Sequence, residues 1–266
     1  AYRTVVADLY AAGCRNIQFD DCTWGIYCDT DFVSKTGMSP VDLQKVSELG
    51  VALNNAAIAG KPDDLVINTH VCRGNYHSTY AFEGGYDPIA PYLFAHENVD
   101  AFYLEFDTPR AGGFEPLKYV APGKKVVLGL ITTKAAELED EDVIVERIHE
   151  AAKYVPLENL YLSPQCGFAS CEIGNKLTED EQWAGQARCR ARLEIAVTFV
   201  GDGACETWCI AYNGPDRIVR AGYPICPIAL PFERTSMSQS STPAVTDAIY
   251  DASSLGRPRM FLLGLQ

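Results

Sequence analysis

The chain has 266 residues, 47% of them apolar and 21% charged, the make-up of an ordinary globular protein with room for one large domain or two small ones. A formal net charge of −13 and an isoelectric point near 4.7 argue against nucleic acid as the main partner, because phosphate binding needs a basic face. No run approaches the ~20 apolar residues that span a bilayer, and the N-terminus carries no basic region followed by an apolar core, so no membrane or secretory signal is expected and the setting reads as cytoplasmic. The ten cysteines are too sparse for a disulfide scaffold and mostly lie in apolar runs, which fits reduced thiols; disulfides are the other reading. The chain opens without Met, directly in a helical pattern, as a fragment or a processed form would.

In chain order, Val5, Val6, Leu9 and Tyr10 fall at helical spacing, with Gly13 as a stop. A short strand over 16–19 then ends in two acids, Asp20 and Asp21. Ser39 and Pro40 read as the N-cap and first position of a helix whose apolar face is Leu43, Val46, Leu49 and Leu53. Asp64-Leu-Val-Ile-Asn68 is a buried strand running up to His70 and Cys72, and a Gly- and aromatic-rich loop follows over 76–92. Ala101-Phe-Tyr-Leu-Glu-Phe106 and Lys125-Val-Val-Leu-Gly-Leu-Ile131 are the third and fourth strands. Residues 139–155 form an amphipathic helix with Val143, Ile144, Ile148, Ala151 and Ala152 inward, closed by Pro156. Asn159-Leu-Tyr-Leu-Ser163 is the fifth strand, and Thr178 with Glu181 is a capping box opening another helix.

Strands alternating with helices imply βαβ units and a parallel sheet, and the succession suggests a (β/α) barrel, whose chemistry sits at the carboxyl ends of its strands. The remaining stretch differs. Residues 1–186 hold 28 acids and 14 bases, whereas 187–266 hold 7 acids, 8 arginines and no lysine. The second region is rich in Pro, Ser and Cys and reads as loops with two short helices, near 187–200 and 244–252. The expected division is a partial barrel over 1–184 and an atypical tail over 185–266.

His70 and Cys72 share a strand face, because side chains two apart point the same way, and an imidazole and a thiol so placed suit a zinc ion. By themselves they read first as a buried His and a buried Cys. The strands end in Asp20/Asp21, His70 with Cys72, Glu105, Thr132/Thr133 and Cys166. Set side by side in a barrel, His70, Cys72, Glu105 and Cys166 converge at its mouth as two thiolates, an imidazole and a carboxylate, a plausible tetrahedral set. Arg110, in Thr108-Pro-Arg-Ala-Gly-Gly-Phe114, is a candidate for an anionic substrate group. His77 is either a substrate contact or a surface residue.

Four motifs, Ile17-Gln-Phe-Asp-Asp21, Thr69-His-Val-Cys-Arg-Gly74, Tyr103-Leu-Glu-Phe-Asp107 and Leu162-Ser-Pro-Gln-Cys-Gly167, resemble the C-terminal barrel of cobalamin-independent methionine synthase, and most of all its shorter bacterial single-barrel relatives. The resemblance covers residues 1 to about 184. It implies a (β/α)8 barrel of the methionine synthase and uroporphyrinogen decarboxylase kind, here with about its last five βα units. It implies zinc held by His70, Cys72, Glu105 and Cys166, and methyl transfer from 5-methyltetrahydrofolate to homocysteine, giving methionine. Asp20 matches the acid that holds the substrate's amino group, and Asp21 stands where the family has a Glu. Glu105, a harder and more exchangeable donor than Cys, is the expected ligand to yield to incoming sulfur.

Three departures qualify the likeness. About three βα units that the family places before residue 1 are absent. The fourth strand ends Gly129-Leu-Ile-Thr-Thr-Lys134, where full-length enzymes carry a His that helps protonate the departing amine, and Lys134 is the nearest candidate for that task. The tail does not align, as a shifted reading frame would produce. Alternatives at this point are a corrinoid donor, another thiol, or an inactive zinc-binding fragment. An open parallel sheet would also tend to self-associate, so a homo-oligomer is expected.

Overall fold

The computed structural model describes residues 1–168, 172–187, 209–213, 217–221 and 259–264, the last three as backbone. Helix α1 (Tyr2–Ala11) ends before Gly13, whose φ of +94° turns the chain into β1 (Cys14–Asp20). Two short helices, α2 (Thr23–Cys28) and α3 (Thr30–Lys35), lead to α4 (Pro40–Ile58). Strand β2 (Val66–Val71), α5 (Ala90–His96) and β3 (Ala101–Glu105) follow. Two 3-10 turns connect β3 to β4 (Lys125–Ile131), and α6 (Glu141–Ala151) leads to β5 (Leu160–Pro164). None of the described helices is long and apolar enough to cross a membrane.

Strands β1 to β5 lie side by side in chain order, each pair parallel, as the alternating pattern predicts. The pleat sorts their side chains. Ile17, Phe19, Ile67, Val71, Phe102, Leu104, Val126, Leu128, Leu160 and Leu162 join the large cluster with Val51, Ile58, Leu93, Phe94, Ile144 and Ile148 of the helices. Tyr103, Val127 and Tyr161 form a separate small cluster on the opposite face. Tyr86 pins β2 to β3: its hydroxyl donates to the Val71 carbonyl and accepts from the Glu105 amide, both at 2.8 Å.

Several expectations need correction. Helix α4 starts as predicted, with a Ser39/Asp42 capping box, but turns a different face inward: Ser47, Val51, Asn54 and Ile58 are buried. Leu49 and Leu53 are 58% and 61% exposed. The rotation follows from Asn54, whose amide reaches two buried acids, and from Gly50, which leaves room for the Trp24 ring. In α6, Ile144, Ile148 and Ala151 are buried as expected, but Val143 is exposed. Helix α5 begins inside the stretch read as loop. In the last region, β6 (Cys209–Asn213) and β7 (Arg217–Ala221) form an antiparallel pair, and β8 (Arg259–Gly264) lies parallel beside β1, where loops were expected. The two helices expected near 187–200 and 244–252 lie outside the described residues, whereas the one opened by Thr178 runs over 179–187.

Candidate metal centre

Register sets the site. Asp20 of β1 lies opposite His70 of β2, which lies opposite Tyr103 of β3, and Glu105 is opposite Gly129 of β4. Glycine is required at 129: a Cβ there would meet the Gln165 Cα at 2.7 Å and the Leu104 carbonyl at 2.8 Å. The pairing of β4 with β5 also shifts between Gly129 and Ile131, a bulge-like irregularity that re-aims the chain. The segment after β5 therefore folds back over the strand ends, with Gln165 N–H bonded to the Ile131 carbonyl at 2.8 Å, and delivers Cys166 Sγ to 3.6 Å from His70 Nε2.

Cys22, His70 and Cys72 each offer a ligand atom, and those atoms all lie within 4.8 Å of one another. The Cys22 and Cys72 sulfurs are 3.1 Å apart. Cys166 hydrogen-bonds Cys72 as well as contacting His70. His70 and Cys72 are buried, while Cys22 and Cys166 are partly open. Hydrogen bonds from Cys166 and Cys22 draw the Cys72 thiol well below its ordinary range, with His70 adding to the effect; the two donor thiols are pushed up. Burial opposes charge on His70, but Cys72, Asp20 and Glu105 outweigh it and raise the imidazole to about 9.

Glu105 is fully buried on the neighbouring strand, but its carboxylate is turned to cations. Oε1 accepts from Arg110 Nη2 at 2.5 Å and lies 3.5 Å from Lys134 Nζ; Oε2 accepts from the Arg73 amide at 2.6 Å. Arg110 also pairs with Asp107 at 3.1 Å and lies over the Tyr80 ring. Arg110 Nη1 and Lys134 Nζ are buried and make no hydrogen bond.

Asp20 stands at the cluster, its Oδ1 accepting from the Cys22 thiol at 3.0 Å. Asp21, expected to face substrate, turns the other way: its Oδ2 accepts from Trp24 Nε1 and Asn54 Nδ2, each at 2.8 Å. His77 is exposed, in a left-handed turn, its ring packed against Tyr76. Residues singled out by sequence that the structure gathers are thus Asp20, His70, Cys72 and Cys166, with Glu105, Arg110 and Lys134 as a flanking ionic group. Cys22 was missed, although it stands two residues beyond Asp20 just as Cys72 stands two beyond His70. Also missed were Asn75 and Asn175, which tie the loops over the site: Asn75 donates to the Gly167 carbonyl at 2.6 Å and Asn175 to Asn75 at 2.9 Å.

A parallel sheet whose carboxyl ends gather thiols, an imidazole and a buried ionic cluster defines a barrel-type protein with a thiol-lined site. Residues 1–179 match the catalytic domain of the cobalamin-independent synthases, and the chain belongs to that family. It is 45% identical over 202 residues to the Bacillus subtilis uncharacterized protein YxjG, covering 74% of this chain and 51% of that one. Among solved structures it resembles one from Listeria monocytogenes assigned as a vitamin-B12-independent methionine synthase (37% identity, TM-score 0.54, 76% of this chain and 54% of that one). The fold is also that of the B12-independent methionine synthase from a Shewanella species (21% identity, TM-score 0.58, 75% of this chain and 53% of that one). These are TIM-barrel-type domains, and the chain spans about half the length of the curated relatives it matches.

Proposed function

We propose that this chain carries the zinc-binding part of a thiol methyltransferase that moves a methyl group from 5-methyltetrahydrofolate to homocysteine, giving methionine. The observation that supports it is the meeting of His70 and Cys72, at the end of β2, with Cys166, on the segment after β5, donors of the kind zinc selects, with Cys22 beside them. His70, Cys72 and Cys166 would hold the metal. When bound, zinc makes the substrate thiol acidic enough to be present as the nucleophilic thiolate at neutral pH.

The chain's own residues do the rest. Asp20, at the rim of the cluster, takes the amino group of the amino-acid substrate. Arg110 keeps Nη1 free for an anionic group on a substrate while its other nitrogen is fixed by Glu105 and Asp107. Lys134, its buried Nζ 3.5 Å from Glu105 Oε1, supplies the proton to the leaving nitrogen of the folate. Glu105 sets the position of both cations.

Zinc stoichiometry and a two-donor assay test the reading. About one zinc per chain, lost in Cys72→Ser, together with homocysteine consumption on methyl-folate but not on methylcobalamin, is expected. Well under one zinc per chain, with no difference in Cys72→Ser, rejects it, and turnover on methylcobalamin alone moves the donor to a corrinoid.

A further inference from the structure

We propose that Asn175 is a positioning residue, the latch of a strap across the mouth of the site, and that this strap governs entry of the thiol substrate. The strap is the tight turn over 76–79, in the loop after β2. Its control of substrate rests on the reaction proposed above; the latch itself does not.

Topology places the strap. The order of the sheet sets β2 and β5 three strand spacings apart, about 14 Å along the sheet. Ser78, from the loop after β2, nevertheless meets the stretch after β5. Its N–H donates to Asn175 Oδ1 and its Oγ accepts from the Lys176 N–H, each at 2.8 Å. The contact therefore reaches past the ends of β3 and β4. There Asn175 Nδ2 also donates to the Thr133 carbonyl at 2.6 Å, on the chain leaving β4.

The latch is gripped from several sides. Besides Ser78 and Thr133, Asn175 meets Asn75, donating from Nδ2 to Oδ1 at 2.9 Å. Asn75 in turn donates to the Gly167 carbonyl at 2.6 Å, and the Thr133 hydroxyl donates to Gln165 Oε1 at 2.6 Å. Asn75, Thr133 and Gln165 are buried. One side-chain amide thus joins the loops after β2, β4 and β5, and a buried polar network with its partners in place specifies a single arrangement.

The strap resists being held. His77 and Ser78 have φ of +47° and +63°, left-handed backbone at two successive residues that carry a Cβ. Tight hairpin turns of that handedness normally take Asn-Gly. The turn closes on itself through Thr79 N–H to the Tyr76 carbonyl at 2.9 Å and Tyr76 N–H to the Thr79 carbonyl at 3.2 Å. Such backbone persists where its surroundings impose it, and Asn175 and Lys176 do so here.

Strain on one side and a single amide on the other make a two-position element. Latched, the strap bridges the ends of β3 and β4, where Glu105 and Lys134 stand, and fences that side of the site. Released, the turn relaxes to ordinary backbone and the side opens. The thiol substrate enters while the strap is released and is retained once it is latched.

Chymotrypsin cleavage of the full chain after Tyr76 and Tyr80, both exposed, reads the latch without any assay of the reaction. Asn175→Ala should be cut there about tenfold faster than the wild type. His77→Asn with Ser78→Gly supplies the residues the turn prefers. That pair should bring Asn175→Ala back to within about threefold of the wild type, and should slow cleavage of the wild-type chain. With zinc loaded, Asn175→Ala should raise the KM for homocysteine about tenfold and change kcat by less than about twofold, whereas a merely structural residue would lower the active fraction and leave KM alone. Cleavage of Asn175→Ala no faster than the wild type overturns the latch, and a fall in kcat at unchanged KM overturns its control of entry. If Asn175→Ala does not fold, failure of the paired substitution to slow cleavage of the wild-type chain overturns it. A wild type that turns over no homocysteine, with cleavage as expected, rejects the reaction proposed above and leaves the latch standing.

Discussion

The two ends of the sheet use polar side chains in opposite ways. At the amino ends, Lys61 and Asp100 pair at 3.1 Å in partly open positions, Asn68 donates to Asn16 at 2.7 Å, and a cavity of about 410 Å³ lies among Asn16, Asn68, Tyr103, Lys125 and Tyr161. At the carboxyl ends, Arg73 and Glu105 are fully buried, Arg110 and Lys134 nearly so, and two of these cations keep buried nitrogens without acceptors. Burying charge is costly unless every donor is matched. Buried cations with spare donors at the carboxyl ends, beside three thiols and an imidazole, mark that end as the place where a ligand completes the bonding. At the amino end the polar groups named here pair with one another.

The comparison breaks most visibly at Glu105. Glu105→Gln removes the one carboxylate that Arg73, Arg110 and Lys134 share and leaves buried cations unbalanced, a loss of about 3–5 kcal/mol of folding stability. Urea denaturation at neutral pH reads it directly. A loss below about 1 kcal/mol would mean that the cluster is wetter and looser than its burial implies.

Local physics made much of this legible in the sequence. The first five strands, the N-cap at Ser39, the capping box at Thr178/Glu181 and the stop at Gly13 are decided by neighbouring residues and stand as read. The period of two selected His70 with Cys72, and position at a strand end selected Glu105 and Cys166; the structure brings Cys166 to His70 and turns Glu105 to cations. What escaped depends on distant contacts. The face of α4 is set by Asn54 meeting Asp21 from 33 residues away and Glu97 from 43, and no periodicity records that. The same contact turns Asp21 outward. Cys22 needed the register of β1 on β2 and the seat that Gly25 gives α2, neither of which a spacing contains.

Asn54 carries the polarity of the carboxyl end out into the helical layer, and Glu97 shows its cost. Burial holds the Glu97 carboxyl at about 8, against 4.5 ordinarily, and its Oε2 has no hydrogen-bond partner. Because the folded chain keeps this proton after the unfolded chain has lost it, stability should fall as pH rises from about 4.5 to 8 and stay reduced above. Glu97→Gln cannot ionise. Wild type and variant should differ least near pH 4–5 and diverge toward pH 8–9, with the variant ahead by roughly 2–3 kcal/mol. Thermal melts across that range check the sign, and a wild type that keeps pace with the variant at high pH would show the acid to be solvated.

The smallest effect belongs to the amino end and is the control for the rest. Asn68 is buried, and its amide bonds Asn16 across β1 and β2 on the same strand that carries His70 two residues later. Asn68→Ala deletes one neutral hydrogen bond and should cost about 1 kcal/mol. If the ends are separate, zinc affinity should match the wild type within error, because the pairing of Asp20 with His70 is held by backbone bonds and by the apolar face beneath. A tenfold fall in zinc affinity would show instead that the strand transmits a shift of register from one end to the other, and that the finished amino end is part of how the carboxyl end keeps its thiols in place.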